Sequence, residues 1–482
     1  MKKRIMTLAF LGMTLSFLSG CASVSAKREF ADIQEQIKSR TKSNIGWDSS
    51  DDDQQIEEKT QFALERKLTT DAAVEIAFMN NPSLQAAFEE LGIAKADFVQ
   101  AGLLKNPSLR GSFRKPDPDG ETNTEFEVKQ DILDLFTLPL RKKLAREELE
   151  KIKYTISKEV LELDAQVRTA FYTLQAAEQL STMQEKIVQA AESAVQLAEA
   201  QMKAGNINDL VLTGHQLALH QSQMDLTQRE FEVSKAREEL GQLLGLSENK
   251  MDWEVAENLP YISKEEPSLE ALEIKAMAQN FELALARQEV EIKREGIIAA
   301  RMNLIPDMQG GYNTEKESDG NKLSGPVFEV AIPVFDQKQA PVARAQAQFR
   351  QSKHQFKAME NKIASEVRVV YAKLLTERET IEMYRDAVIP LHEKFIRSLQ
   401  GHYNYMLVGV YDLLDAKKEE IETYHKFVET LKDYWITRCE LEHLVGERFE
   451  VVPFENPPSE IKAESSAPKD AHHYNHDHHG GE

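Results

Sequence analysis

The longest stretches of the chain carry apolar residues at a heptad spacing. In the first half two interleaved rows have this spacing: Ile156, Leu163, Ala170 and Ala177 in one, and Val160, Val167 and Leu174 in the other. The second half has a similar row: Phe349, Phe356, Ile363 and Val370, with Val367 and Leu374 beside it. This spacing is typical of coiled-coil seams. The stretch from about Leu140 to Lys203 contains neither proline nor glycine, and it predicts a helix about 95 Å long.

Between the helical stretches lie four short segments in which apolar and polar residues alternate, which predicts β-strands with one apolar and one polar face. The apolar positions are Leu109, Gly111 and Phe113; Phe126 and Val128; Met308, Gly310 and Tyr312; and Phe328, Val330 and Ile332. The polar face includes Arg110, Arg114 and Glu127. Two interpretations fit: four transmembrane strands whose polar face lines a lumen, or two surface hairpins that cover apolar patches on the protein's own helices.

The chain resembles itself at an offset of about 200 residues. Three matches keep the same order in both halves: Asn81–Ala87 with Asn280–Ala286, Phe126-Glu127-Val128 with Phe328-Glu329-Val330, and Asp209-Leu210 with Asp412-Leu413. We therefore predict two structural repeats, residues 68–265 and 266–450. Each would contain a helix, two strands, a very long helix, a tight turn and another long helix, so the fold class is mainly α with a small β part.

The periodicity is interrupted at Ala204-Gly205-Asn206 and at Leu407-Val408-Gly409, and each interruption predicts the tip of an antiparallel helical hairpin. Pro390 lies inside the second long helix and predicts a kink or a break there. The acidic residues 21–67 are predicted to form an irregular tether. Residues 451–482 are rich in Pro, Ser, Glu and His, and they predict a disordered tail.

The 482 residues include 59 basic and 80 acidic side chains, a formal charge of -21. This balance disfavours a nucleic-acid partner, because phosphate binding needs a basic face. No apolar run after the N-terminus reaches the roughly 20 residues of a spanning helix, so a membrane crossing would need the strands. Walker A, HExxH, nucleophile-elbow and dinucleotide motifs do not occur, and we predict neither an enzyme nor a cofactor.

The first 20 residues are typical of a secretory signal peptide, with a basic triplet at residues 2–4 before an apolar run. That run ends in Leu18-Ser19-Gly20-Cys21, which resembles the lipobox of bacterial lipoproteins and predicts acylation (palmitate) of Cys21. The alternative is an ordinary signal with an incidental cysteine. Residues 21–67 would be a lipid-anchored N-terminal segment. Cys439, the second of two cysteines, is expected to be a small buried apolar side chain on a helix.

Histidines are concentrated near the C-terminus. The predicted metal ligands are His472, His473, His476, His478 and His479. Neutral imidazole suits Zn, Cu, Co and Ni ions. The alternatives are an expression tag or an adventitious metal binder with no role.

Three local motifs, set in the repeated helix and strand plan, resemble the TolC-like outer-membrane efflux family between residues 68 and 446. They are the Asn-Pro-x-Leu opening at 81–84, the run Gly-Pro-Val-Phe-Glu-Val-Ala-Ile-Pro-Val-Phe-Asp at 325–336, and Tyr411-Asp412-Leu413-Leu414-Asp415-Ala416. The resemblance implies a homotrimer in the outer membrane of a Gram-negative bacterium, with a 12-stranded β-barrel and an α-helical barrel in the periplasm. Strand counting alone also allows other closures.

The same resemblance implies partners and sites. A periplasmic adaptor protein would dock at the hairpin tips, near Gly205 and Gly409, and connect the channel to an inner-membrane pump. The family closes its periplasmic mouth with aspartates, which match Asp412 and Asp415. Crowded carboxylates in a pore bind cations and repel anions. The alternative is that Asp412 caps the returning helix.

In the first half, Asp209 would hold the position of Asp412, and Leu212 would stand where the second aspartate is expected. The leading prediction is a channel of a tripartite efflux system for heavy-metal cations, in contact with outer-membrane lipid. Drug efflux and protein secretion by the same type of channel are alternatives. So are a periplasmic coiled-coil lipoprotein that spaces the envelope and a metal-scavenging protein.

Overall fold

The computed structural model describes residues 24–47, 53–115, 121–246, 253–256 and 258–452. The first half contains helices α1 Lys27–Thr41, α2 Asp53–Leu64, α3 Thr70–Asn80, α4 Pro82–Ala101, α5 Leu133–Lys203 and α6 Asp209–Leu243, with strands β1 Ser108–Arg114 and β2 Asn123–Asp131. The second half contains α7 Leu269–Gln279, α8 Phe281–Met302, α9 Gln339–Met383, a π-helical turn Tyr384–Val388, α10 Ile389–Asn404 and α11 Val410–Val445, with β3 Met308–Lys316 and β4 Lys322–Val330. Across these described ranges, no helix is both long and apolar enough to cross a membrane.

Both halves have the same order of elements, as the internal repeat predicted, but the helix before the strands is divided in two at Asn81 and Asn280. Each asparagine caps the second of these helices, because its side-chain oxygen accepts a hydrogen bond (3.0 Å) from the backbone N–H three residues later. Its amide donates to the carbonyl of Leu243 (2.9 Å) or Leu444 (2.8 Å). One side chain therefore fastens the start of each repeat to the end of its last helix.

The longest helix, α5, begins at Leu133, seven residues before the predicted start, and it includes Pro139. The buried carboxylate of Asp134 holds these first turns, because it accepts hydrogen bonds from the backbone N–H of Lys105 (2.9 Å) and from the guanidinium of Arg141 (2.5 Å). These contacts offset the helical hydrogen bond that a proline cannot donate. The helix spans 71 residues, a length of about 107 Å.

The four strands form a single antiparallel sheet in the order β1-β2-β3-β4. The central ladder pairs β2 with β3, so it joins the two halves of the chain, with Val128 opposite Tyr312. On the same face, Leu109 lies opposite Val128, and Gly310 lies opposite Phe328. The alternation of the sequence therefore predicted both the strands and their faces correctly.

The predicted coiled-coil rows are buried where the long helices pack together. In α5, four members of these rows have no exposed surface: Ile156, Val160, Val167 and Leu174. In α9, three members are at most 1% exposed: Ile363, Val367 and Leu374. Phe349 and Phe356, nearer the sheet, are only partly buried in the single chain.

The N-terminal segment is not the irregular tether that its acidic composition predicted, because it contains α1 and α2. The spacing of Phe30, Ile33 and Ile37 gives α1 one apolar face, and both isoleucines are at most 1% exposed. Glu29 of α1 forms an ion pair with Lys95 of α4 at 2.6 Å. α1 therefore packs along the outside of α4 and α5 instead of leaving the body of the protein.

Candidate functional site

The apolar face of the sheet is exposed in the single chain. Leu109, Phe113 and Phe328 retain 73%, 68% and 73% of their accessible surface. Phe113 packs edge-to-face on Phe126, with ring centroids 5.6 Å apart, so the large side chains contact one another across the strands. The interpretation in which these hairpins cover the protein's own helices is therefore wrong. A bare apolar sheet of this kind needs a non-aqueous neighbour.

The opposite face of the sheet pairs its polar groups within and between strands. Lys129 lies 3.2 Å from Glu127 and 3.0 Å from Glu329. The amide of Asn313 donates a hydrogen bond to Glu125 at 2.8 Å. Because positive and negative groups alternate over this face, it can be hydrated without a strong field of either sign, as the wall of a water-filled passage requires.

Apolar residues also adjoin the sheet on its helical side, in both repeats. We call this set the belt: Leu103, Leu104, Leu135 and Phe136 in the first repeat, and Leu304, Ile305, Val334 and Phe335 in the second. Each belt residue is at least 40% exposed. The apolar surface at this end of the molecule therefore extends from the strands onto the segments that connect them to the helices and onto the first turn of α5.

The two hairpin tips at the opposite end share one backbone geometry at an offset of 201 residues, and equivalent hydrogen bonds close both turns. In the first tip, Gly205 has a φ of 76° and Asn208 caps α6. In the second tip, Met406 has a φ of 59° and Gly409 occupies the cap position of α11. Gly205 and Gly409 thus both lie in the tips, but at different positions of the shared turn.

Asp412 performs the capping role that the sequence left open. Its carboxylate, in the first turn of α11, accepts a hydrogen bond from the N–H of Gly409 at 2.7 Å. Asp412 and Asp415 are three residues apart on one helix, so they share a face, and both are exposed. Within the described ranges, the structure shows no salt bridge to either carboxylate.

The geometry of the turns corrects the alignment of the two tips. Because Asn208 and Gly409 are equivalent caps, the residues equivalent to Asp412 and Asp415 are Val211 and Gly214. The predicted equivalents, Asp209 and Leu212, were wrong by two residues, since they were matched by residue type alone. The positions that hold the carboxylate pair in the second hairpin therefore hold an apolar residue and a glycine in the first.

A groove of about 510 Å³ opens beside Asp415, between the first hairpin and α11. Tyr411 lies at its tip end, where its ring stacks on His215 of α6 with centroids 4.3 Å apart. The hydroxyl of Tyr411 donates to the side-chain oxygen of Gln201 in α5 at 3.0 Å. α11 is thus attached to both helices of the first hairpin one residue before Asp412.

His425 lines the same groove farther from the tip, and it is 9% exposed. Its Nε2 has no hydrogen-bond partner among the described residues. Burial, and then the charge of Arg229, lowers the pKa of His425 to about 4, while Glu422 opposes the shift. The imidazole is therefore neutral near pH 7.

A buried ionic cluster holds the middle of the molecule. Arg438 pairs with Glu266 at 2.8 Å and with Glu442 at 3.2 Å, and Glu442 also binds Arg168. Burial raises the pKa of Glu266, although the charge of Arg438 opposes this. Cys439 lies beside the cluster, and burial raises the pKa of its thiol to about 12. The prediction of a small buried cysteine on a helix is confirmed.

Arg438 belongs to a motif that a fuller comparison of the two halves could have found. The pattern Arg-x-Glu-Leu-x-x-Leu-x-Gly occurs at 237–245 and at 438–446. The arginine of the first copy donates to the carbonyl of Trp253 (2.5 Å) and to Glu178 (2.6 Å). The last glycine of both copies has a positive φ at the end of its helix. Both copies thus fasten the last helix of a repeat to the segment that follows.

Two predicted sites fall outside the described residues: the lipidation site Cys21 and the metal ligands His472, His473, His476, His478 and His479. In the part of the chain that the structure describes, no group of three or more His, Cys, Asp or Glu side chains is placed to hold a metal ion.

Comparison with known proteins gives one family match and one curated relative. The profile of the family described as "Outer membrane efflux protein" matches residues 73–246. The chain is 20% identical over 386 residues to the cobalt-zinc-cadmium resistance protein CzcC of Cupriavidus metallidurans. That alignment covers 79% of this chain and 90% of the relative.

Solved structures of outer-membrane channels share the fold over most of the chain. The CmeC outer membrane channel of Campylobacter jejuni has a TM-score of 0.67 at 14% identity, covering 80% of this chain and 87% of its own. The outer membrane protein VceC of Vibrio cholerae gives 0.63 at 15% identity, with coverages of 82% and 97%. CusC gives 0.65 at 16% identity, with coverages of 78% and 92%. The prediction of a mainly helical fold with a small antiparallel sheet is confirmed.

Proposed function

We propose that this chain, which matches the outer membrane efflux protein family over residues 73–246, is the outer-membrane channel of a tripartite efflux system that exports heavy-metal cations. Three copies would form the conduit, and a periplasmic adaptor and an inner-membrane pump would complete the assembly. The relative named for cobalt, zinc and cadmium resistance supports the metal cargo. The fold shared with outer-membrane channels supports the conduit. This role needs no catalytic group.

The bare apolar face of the sheet is the observation that carries the proposal. Large apolar side chains on one face and paired polar groups on the other are the arrangement expected between lipid and a water-filled lumen. In the described chain, β1 and β4 each have one pairing neighbour, and a strand edge cannot stay unpaired in lipid. Neighbouring copies can pair these edges. Three copies with four strands each would supply twelve, within the range of closed transmembrane barrels.

Asp412 and Asp415 are proposed to form the gate at the periplasmic mouth. Both are exposed, and they lie on one face in the first turns of α11. If symmetric copies bring these helices together, six carboxylates would surround one opening, where they bind cations and repel anions. Gly205 and Gly409, at the two tips, are proposed to lie in the contact with the adaptor.

Lipid attachment at Cys21 is compatible with the position of α1. Its N-terminal end lies near Lys95, because Glu29 pairs with that residue. From Lys95 to the top of α4 at Ala101 the helix rises about 9 Å, and the belt follows. The five steps from Cys21 to Ala26 can span up to about 17 Å. An acyl chain on Cys21 would therefore reach the membrane, and the C-terminal histidines are proposed to bind the transported cations in the periplasm.

The test is single-channel conductance of the detergent-purified protein in a planar bilayer. We expect a small, cation-selective conductance that rises several-fold in Asp412→Asn/Asp415→Asn, because the carboxylates that narrow the mouth lose their charge. Asparagine is the right replacement at 412, since its side-chain oxygen still accepts the hydrogen bond of Gly409. An alanine would remove the cap together with the charge.

The matched control is Asp209→Asn, which removes one exposed charge from the first tip. It should leave the conductance close to that of the unmodified protein. An equal rise in the control would show that the effect is not specific to the second hairpin. If folded trimers of the unmodified protein and of Asp412→Asn/Asp415→Asn both show no conductance, the proposal of a channel is wrong.

A further inference from the structure

A cluster of basic side chains surrounds one aromatic ring just below the belt. The ring of Phe98 in α4 has the Lys95 Nζ at 5.4 Å, the Lys142 Nζ at 5.7 Å and the Arg146 Cζ at 6.0 Å from its centroid. Lys95 is neutralised by Glu29. We call Phe98, Lys142 and Arg146 the basic patch.

The basic patch is unusual in so acidic a chain. Residues 135–146 of α5 contain four basic side chains and no acidic one, although the whole protein has a formal charge of -21. Two of the four have carboxylate partners: Arg141 pairs with Asp134 at 2.5 Å and Lys143 with Glu295 at 2.9 Å. Lys142 and Arg146 are exposed, and the structure shows no carboxylate within 4.0 Å of either among the described residues.

The patch lies within side-chain reach of a lipid headgroup layer. Along α5, Lys142 follows the belt residue Phe136 by six positions and Arg146 by ten, distances of about 9 Å and 15 Å. The headgroup layer extends about 5 to 8 Å beyond the hydrocarbon core on each side. Long basic side chains extend their charges along the surface toward such a layer. Both charges can therefore reach the phosphates while their helix remains in the periplasm.

The patch also faces the outside of the molecule. α1 lies against the same side of α4 and α5, since Glu29 contacts Lys95 and Asp32 contacts Lys153 at 3.1 Å. The segment that leads to the lipidation site therefore passes beside the patch. A side covered by this segment cannot be the lumen wall, because a lipid on Cys21 must enter the membrane around the channel.

We propose that Lys142 and Arg146, above the ring of Phe98, form a binding site for the headgroup of an anionic phospholipid in the periplasmic leaflet of the outer membrane. The proposal rests on the proposed placement of the sheet in that membrane and on the proposed lipidation of Cys21. Charge complementarity selects an anionic lipid over a zwitterionic one, since each basic side chain near an anionic surface adds to the attraction. The ring holds the two cations close together by cation–π contacts.

The experiment is native mass spectrometry of the detergent-purified full chain, titrated separately with dioleoyl phosphatidylglycerol and dioleoyl phosphatidylethanolamine. We expect the unmodified protein to bind phosphatidylglycerol at least tenfold more tightly, and this preference to weaken with added salt. In Lys142→Gln/Arg146→Gln the two lipids should bind within about threefold of each other. The exchanged pair Lys142→Arg/Arg146→Lys should retain the preference for phosphatidylglycerol. That result would show that the site depends on charge.

The matched control is Lys394→Gln/Lys426→Gln, which removes two exposed charges from α10 and α11, far from the belt. It should keep the preference for phosphatidylglycerol. Equal binding of the two lipids by the unmodified protein, or an unchanged preference in Lys142→Gln/Arg146→Gln, would overturn the site. So would loss of the preference in millimolar inorganic phosphate, which would indicate a free-phosphate site. The assay needs no open pore, so its result is separable from the conductance test.

Discussion

The first and second hairpins follow the same route from the sheet to the tip, but only the first contains an uninterrupted helix. α5 runs through 71 residues, whereas the equivalent path is divided into α9, the π-helical turn and α10. The π-helical turn ends two residues before Pro390, which cannot donate a backbone hydrogen bond, so the predicted break occurs there in a mild form. The two hairpins therefore share the path of the chain but differ in the stiffness of their long helices.

The same asymmetry extends to the chemistry of the hairpins. At three positions offset by 201 residues, the second hairpin has Asp412, Asp415 and His425 where the first has Val211, Gly214 and Met224. At these three positions, the ionisable groups belong to the hairpin whose long helix is interrupted. Bending is easiest where a helix departs from its regular hydrogen bonding. The comparison indicates a stiff first hairpin that supports a softer second one.

The largest expected difference between the repeats concerns their equivalent arginines. Arg438→Met should destabilise the protein by about 3 to 5 kcal/mol, because it leaves Glu266 and Glu442 buried without their shared partner. Arg237→Met should cost about 1 kcal/mol, since Glu178 and the arginine are each 29% exposed and water can replace the lost contacts. The midpoint of thermal unfolding in detergent measures the loss of stability in each variant. Equal losses would show that the buried cluster does not distinguish the two repeats.

A second difference is sensitivity to acid. The pKa of His425 lies near 4 in the folded protein and near 6.5 in the unfolded chain, so protons bind the unfolded state more strongly. This contribution to stability is complete above about pH 6.5 and is lost as the pH falls toward 4. Between pH 7 and pH 5 the loss should be about 2 kcal/mol. Unfolding midpoints at the two pH values should therefore differ less in His425→Met than in the unmodified protein.

The first repeat supplies the control for this prediction. Met224 is 59% exposed, so a histidine placed there by Met224→His should titrate near its ordinary pKa and add no acid sensitivity. If His425→Met and the unmodified protein lose the same stability between pH 7 and pH 5, the acid sensitivity arises elsewhere.

Local patterns predicted much of this fold. The heptad rows marked the buried seams, and the alternation marked the four strands and their faces, because both depend on a period within one element. The bonds by which Asn81 and Asn280 fasten each repeat were missed because each amide donates to a carbonyl more than 160 residues away. α1 was missed because only three apolar residues within an acidic segment, Phe30, Ile33 and Ile37, mark the face that packs against the protein. These features depend on contacts that no single stretch of sequence contains.

The candidate site was predicted less completely than the fold. Asp412 and Asp415 were found by resemblance, but their equivalents in the first tip were misassigned, since hydrogen bonds and not residue types define the turn. The groove, the Tyr411–His215 stack and the neutral His425 were not predicted at all. They arise where three helices from distant parts of the chain meet. The basic patch has the same origin, because its members come from α4 and α5.

The smallest expected difference lies at the tips, where one turn is built with a glycine in one copy and a methionine in the other. A Cβ on Gly205 would meet nothing within 4 Å, so Gly205→Ala should cost about 1 kcal/mol through its positive φ alone. Met406 already bears that strain, and Met406→Gly should relieve up to about 1 kcal/mol. Hydrogen exchange of the tip amides measures both, since local opening follows local stability. Gly205→Ala should speed exchange in the first tip, and Met406→Gly should slow it in the second. Faster exchange in Met406→Gly would mean that the methionine side chain, although 93% exposed, stabilises its tip by a contact that the first tip does not make.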